Sequence, residues 1–194
     1  RSIAKYCRWC GHALASENVL GQIIGLDEVK QQLKTVVNTY TFLHSRKDIA
    51  NVRLSVNAII VGETGTGKTM LAEVIRDYLY QNKIIPKQKL TMVDAVDYKR
   101  FVDKWDDNIK KAKGGVLFFD NVQKLLPDRY SNQVNPLDKL FVEMDHWEDD
   151  PIVIISGLTK GLDDFLTNNP AISNRFKYKF YLPTPGFMEL YEIC

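Results

Sequence analysis

Cysteine is scarce in this chain: Cys7, Cys10 and Cys194 are the three thiols among 194 residues. Three unevenly spaced cysteines exclude the disulfide framework of a small secreted domain. A long apolar run is missing as well. No stretch approaches the roughly 20 residues needed to cross a bilayer, and no secretory leader opens the sequence. Charge of one sign is not in excess either. Lys and Arg total 26 and Asp and Glu 24, for a formal net charge of +2. Nucleic-acid binders carry a stronger or more clustered basic signal, so the balance argues against one. There is no internal repeat and no low-complexity block. The first residue is Arg1 rather than methionine, which predicts a processed or partial chain. These absences leave a cytoplasmic protein as the expectation.

What is present suits one globular domain with a real core. Apolar residues make up 45% of the chain and charged residues 26%. Leu26, Val29, Leu33, Val36, Val37, Tyr40 and Leu43 recur at three- and four-residue steps and predict a helix, with Asp27 as its N-cap or a first-turn acid. A short strand, Ala58 to Val61, runs into the segment GETGTGKT, and Leu71, Val74, Ile75, Tyr78 and Leu79 then stripe a second helix. Leu90 to Val93 reads as a strand. Tyr98, Phe101, Val102, Trp105, Ile109 and Ala112 stripe a third helix. Val116 to Phe119 is apolar on both faces, as a central parallel strand is. A helix around Leu137, Leu140, Phe141 and Met144, a strand Ile152 to Ile155, a short helix around Leu162, Phe165 and Leu166, and a strand Phe176 to Leu182 complete the pattern. Another helix starts at FMELYEI before the chain stops at Cys194. The alternation predicts a doubly wound α/β fold with a parallel sheet.

Gly62, Glu63, Thr64, Gly65, Thr66, Gly67, Lys68 and Thr69 fit the phosphate-loop pattern G-x-x-x-x-G-K-[ST]. Glycines let backbone N–H groups curl around phosphate oxygens, including at positive φ. The helix that starts near Lys68 adds its positive dipole end. Lys68 reaches the β- and γ-phosphates, and the Thr69 hydroxyl ligates Mg²⁺. Met70 continues the nucleotide-binding stretch. A chance match in a chain of this size has odds on the order of 1%, and the strand before it and helix after it are the required context.

A second signal lies in GGVLFFDN. Asp120 ends an apolar strand two elements downstream, where a P-loop NTPase holds its Mg²⁺ ligand. Asn121 follows it. A carboxylate at that place would orient the attacking water and accept its proton, whereas an amide takes up no proton. General-base contributions run roughly 10²–10⁴-fold, so slow or silent hydrolysis is the direct expectation. Glu143 and Asp145 are the alternative acids the sequence offers for that role.

With these motifs in hand, the chain resembles the AAA+ ATPases, and within them the group containing the rubisco activase CbbX and stage V sporulation protein K. The resemblance spans about residues 23 to 193. It rests on IIGLDEVKQQL, GETGTGKT, GGVLFFDN, VIISGLTK and FLTNNPAISNRFKYKFYLPTP. It implies a P-loop NTPase with a five-stranded parallel sheet of order 5-1-4-3-2. It also implies that Ile23, Ile24 and Gly25 wrap the adenine ring, and that Arg175 is an arginine finger reaching a neighbouring subunit's phosphates; a surface ion pair is the bland alternative for Arg175. The polar sensor is Ser156 or Thr159. The cofactors implied are ATP and Mg²⁺, with ADP as product. The partners implied are neighbouring subunits in a homo-oligomeric ring, a hexamer, and a protein substrate the sequence does not name.

The chain departs from that pattern in three places. Asp120-Asn121 stands where the family carries Asp-Glu. The segment AVDYKRFVDKW stands where the family carries a Gly-rich aromatic pore loop, and Tyr98 fits core packing better than substrate gripping. The family's helical lid does not follow within the sequence, which predicts weak nucleotide binding and poor assembly.

Residues 1–22 form a lead-in with a half zinc-ribbon knuckle, and residues 23–194 form the nucleotide-binding subdomain. Cys7-x-x-Cys10-Gly11 has the spacing of two thiolates on one tetrahedral Zn²⁺; two free thiols are an equal alternative. The expected function is the ATP-binding module of a protein-remodelling, chaperone-like ATPase. Its rivals are a nucleotide-gated switch that never hydrolyses, a DNA-handling AAA+ factor and a small-molecule P-loop kinase.

Overall fold

Five short apolar segments become five parallel strands: β1 (Ala58–Gly62), β2 (Leu90–Asp94), β3 (Val116–Asp120), β4 (Ile152–Gly157) and β5 (Tyr178–Leu182). The computed structural model describes residues 19–23, 25–45, 55–94, 97–125, 137–147, 150–168 and 170–184. The strands form one sheet in the order β2-β3-β4-β1-β5, and every pair is parallel. This is the expected 5-1-4-3-2 order. β1 and β4 are buried along their whole length, while the edge strands β2 and β5 are partly exposed. Continuous apolar runs therefore sit in the middle, where both faces are covered.

Helices cover both faces. Successive residues of a strand point to opposite sides, so Phe118 and Ile60 join one core while Phe119 and Ile59 join the other. Against the first face pack α1 (Asp27–Ser45) and α2 (Lys68–Gln81), through Val29, Leu33 and Val36 and through Leu71, Ile75 and Leu79. Against the second pack α3 (Tyr98–Asp103), α4 (Trp105–Ala112), α5 (Asp138–Met144), α6 (Thr159–Asn168) and α7 (Pro170–Ser173). Burying a large side chain such as Phe118 or Phe119 contributes about 1.5–3 kcal/mol. Asp27 is the first residue of α1, so it serves as a first-turn acid, where the helix dipole favours it.

The single helix expected over residues 98–112 is broken. Lys104 leaves helical geometry at φ −121°, ψ 39°, which separates α3 from α4. The apolar stripe survives the break, because Phe101 and Trp105 still meet edge to face at 5.2 Å. The Asn108 side chain donates to the Phe101 carbonyl oxygen at 3.1 Å, satisfying a backbone group near the break. Tyr98 is 5% exposed and packs against Phe119. Burial, and then the Asp138 carboxylate, push its phenol up to about 12.

Three strands run further than their apolar residues. Pairing continues through Asp94 opposite Asp120 on β2 and β3, and through Gly157 opposite Val61 on β4 and β1. Polar residues thus become strand ends on one rim of the sheet. Among the described residues no helix is long and apolar enough to cross a membrane. Cys7, Cys10, Ile24, Cys194 and the helix expected at FMELYEI lie outside the described residues.

Candidate nucleotide site

The loop between β1 and α2 is shaped by its glycines. Gly65 and Gly67 adopt φ of +83° and +89°, a region that costs most residues energy and glycine little. At Gly62 the demand is space: an added Cβ would lie 2.7 Å from the Thr66 hydroxyl and 2.9 Å from Leu182 Cβ. The loop also holds itself, since the Thr66 hydroxyl donates to the Glu63 carbonyl oxygen at 2.8 Å.

Lys68 is the first residue of α2 and only 8% exposed. Its ammonium donates to the carbonyl oxygens of Gly62 at 2.9 Å and Glu63 at 2.8 Å. A buried cation is thereby drawn back over the loop, in the concavity that the curled backbone makes. Gly67 caps α2 without a side-chain hydrogen bond, and α2 has no acidic residue in its first turn. The helix therefore presents backbone donors and partial positive charge without a carboxylate of its own to neutralise them. Thr69 is partly buried beside Lys68, and Met70 is 49% exposed on the outer side.

The ends of β3 and β2, on the same rim of the parallel sheet, supply carboxylates. Asp120 Oδ1 accepts from the Ser156 hydroxyl and, at 2.9 Å, from the Asn121 backbone N–H. Ser156 is fully buried on β4, whereas Thr159 opens α6 and is exposed. Of the two sensor candidates, Ser156 is the one that touches Asp120.

Asn121 has φ of +58°. Asparagine tolerates this left-handed region better than most residues. Its side-chain Nδ2 donates to Asp94 Oδ2 at 2.8 Å. A carboxylate therefore does stand beside the amide, contributed by β2 rather than β3. Sequence reasoning missed Asp94, because the apolar run of β2 ends one residue earlier and only strand pairing carries Asp94 to Asp120. It also missed Gln123, in the 3₁₀ turn Val122–Leu125, whose side-chain oxygen accepts from the Leu158 N–H at 3.3 Å and ties the β3 and β4 exits together.

The remaining expected site residues belong to other elements. Ile23 is 2% exposed and sits in the α1–α2 core, behind the 3₁₀ turn Val19–Gln22. Gly25 follows at φ +66°. Arg175, just after α7, forms a two-point ion pair with Asp145 of the same chain, Nε to Oδ1 at 3.0 Å and Nη2 to Oδ2 at 2.6 Å. The hydrogen bond from Arg175 holds the Asp145 carboxyl below its ordinary range, and the same bond raises the guanidinium. Asp145 is thus engaged with Arg175. Glu143 belongs to α5, on the face remote from α2.

The donor set fits Mg²⁺ with a polyphosphate. It offers one strand-end carboxylate, one hydroxyl at a helix start and a glycine-lined concavity, and Mg²⁺ completes such a shell with water and phosphate oxygens. Among the described residues no group of three or more His, Cys, Asp or Glu is arranged to hold a metal by itself. Zn²⁺ thus finds no support among them, and its proposed ligands Cys7 and Cys10 are not in that set.

Comparison with known proteins agrees with this geometry. A model of the "ATPase family associated with various cellular activities (AAA)" matches residues 58–184. Stage V sporulation protein K of Bacillus subtilis is 25% identical over 187 residues, covering 92% of this chain and 58% of that protein. The ESX-1 secretion system protein EccA1 of Mycobacterium tuberculosis is 29% identical over 187 residues, covering 90% of this chain and 32% of that protein. The chain thus spans less than two thirds of the length of these relatives. Among solved structures, one chain of the HORMA:CdnC:Trip13 complex of E. coli MS115-1 superposes with a TM-score of 0.62 at 19% identity, over 91% of this chain and 69% of that one. That likeness concerns the fold.

Proposed function

The chain belongs to the AAA family of ATPases, and on that premise we propose that it is the Mg·ATP-binding module of a ring-forming, protein-remodelling ATPase. The observation that carries this reading is the buried Lys68 ammonium folded over a glycine loop at the uncapped start of α2. An anionic tail entering the loop replaces the two carbonyl oxygens as the partner of that ammonium and meets the N–H groups of the first helical turn. Thr69 and Asp120 would hold Mg²⁺, which offsets charge on the β- and γ-phosphates when bound. Ser156 fixes the Asp120 carboxylate. In this reading Ile23, Ile24 and Gly25 contact the adenine ring, and Thr159 contributes to the nucleotide site. Arg175 serves the phosphates of a neighbouring subunit in a homo-hexamer acting in the cytoplasm on a protein substrate.

Hydrolysis is slower in this reading than in relatives with Asp-Glu, because Asn121 takes up no proton. The same amide favours a second reading, a nucleotide-gated switch without turnover. Phosphate release by the full-length protein separates the two. With ATP and Mg²⁺ we expect slow steady release that stops when Mg²⁺ is chelated. Tight binding without release would select the switch, and absence of nucleotide binding would reject both.

A further inference from the structure

We propose that Asp94 is the positioning residue for the attacking water, acting through Asn121. The inference rests on the nucleotide-binding reading above and deepens it. β2 ends in the acid Asp94, and the amide Asn121 follows directly on Asp120, the last residue of β3. Pairing places Asp94 opposite Asp120, the residue before Asn121. The contact between the two side chains is 2.8 Å, from Asn121 Nδ2 to Asp94 Oδ2. An ionised carboxylate only accepts hydrogen bonds. It therefore selects one of the two amide orientations, the one with Nδ2 toward β2. The amide oxygen is left as the acceptor for a water hydrogen. At φ +58° the backbone of Asn121 sits in the left-handed region, which asparagine tolerates better than most residues.

The chemical step balances without a protein base. The water oxygen bonds to the γ-phosphorus of a nucleoside triphosphate. The bond to the bridging oxygen breaks, and its electron pair leaves with the diphosphate. The water proton passes to a γ-phosphoryl oxygen and then to solvent. Asn121 directs the water's approach throughout, and Asp94 keeps the amide oxygen turned toward it. Asp94 thus bears on turnover rather than on nucleotide affinity.

The test is a double-mutant cycle on the full-length protein, with ATP as ligand and substrate. Phosphate release gives kcat, and a fluorescent ATP analogue gives affinity. Asp94→Ala and Asn121→Ala are each expected to lower kcat at least tenfold, with nucleotide affinity within about threefold of the native value, and the double variant to lose no more than either alone. Asp94→Asn, whose side-chain oxygen still accepts from Nδ2, recovers part of the loss. Asn121→Glu alone brings a second carboxylate against Asp94 and yields no gain, whereas Asn121→Glu with Asp94→Asn raises kcat above native. The inference is overturned if Asp94→Ala turns over at the native rate, if the two losses multiply, or if the native protein binds ATP and releases no phosphate. Those results leave the binding reading standing, while failure of the native protein to bind the analogue removes both.

Discussion

Replacing Lys68 by alanine is expected to lower affinity for Mg·ATP by roughly 10–100-fold. Hydrogen bonds between charged groups contribute about 1.5–3 kcal/mol each, and a factor of ten in affinity corresponds to about 1.4 kcal/mol. Lys68 is suited to a larger effect than a surface lysine because it is buried and already desolvated. Its present partners are two backbone carbonyl oxygens of its own loop, so an incoming phosphate exchanges neutral acceptors for charged ones, which bind more strongly. Arginine does not substitute, since its planar fork cannot fold back into a concavity shaped for a point charge. Titration of the fluorescent analogue into the native, Lys68→Ala and Lys68→Arg proteins checks the expectation, with thermal melting as the control for folding.

The second large effect belongs to Arg175. Arg175→Ala is expected to reduce turnover in the assembled protein by a factor on the order of 10³, at the lower end of what arginine fingers supply in P-loop GTPases. Its pairing with Asp145 does not stand in the way. Arg175 and Asp145 are 27% and 57% exposed at their side chains, and exposed ion pairs contribute about 0–1 kcal/mol. The guanidinium can leave this partner for a neighbour's phosphates at small cost, so the variant should fold and bind nucleotide normally. Asp145→Ala is the matching control: it removes this ion pair and should leave turnover at or above the native level. Equal losses from both substitutions would mean that the pair acts only as a structural tie.

Much of the fold was legible from residue patterns, for a physical reason. The central strands are buried on both faces, and continuous runs such as VLFF and IVII have few other ways to hide. The glycine loop after β1 was legible because few sequences satisfy its backbone geometry, with Gly65 and Gly67 at positive φ and Gly62 against Thr66 and Leu182. The site beyond the loop was harder to read. Asp94, Asp120 and Ser156 are polar residues at the ends of apolar runs, where pattern stops carrying information and only strand register assembles them. The break at Lys104 was invisible because the buried stripe continues across it. That Ser156 rather than Thr159 meets Asp120 needed β4 to run on to Gly157, which buries Ser156 and leaves Thr159 on α6.

Calorimetric competition tests the phosphate grip most directly. The protein is titrated with Mg·ATP alone, then in the presence of inorganic tripolyphosphate, then in the presence of adenosine. If the loop from Gly62 to Thr69 holds the polyphosphate, one saturable event is seen and tripolyphosphate competes for it more strongly than adenosine does. Absence of any saturable heat, or competition by adenosine with none by tripolyphosphate, would contradict the account.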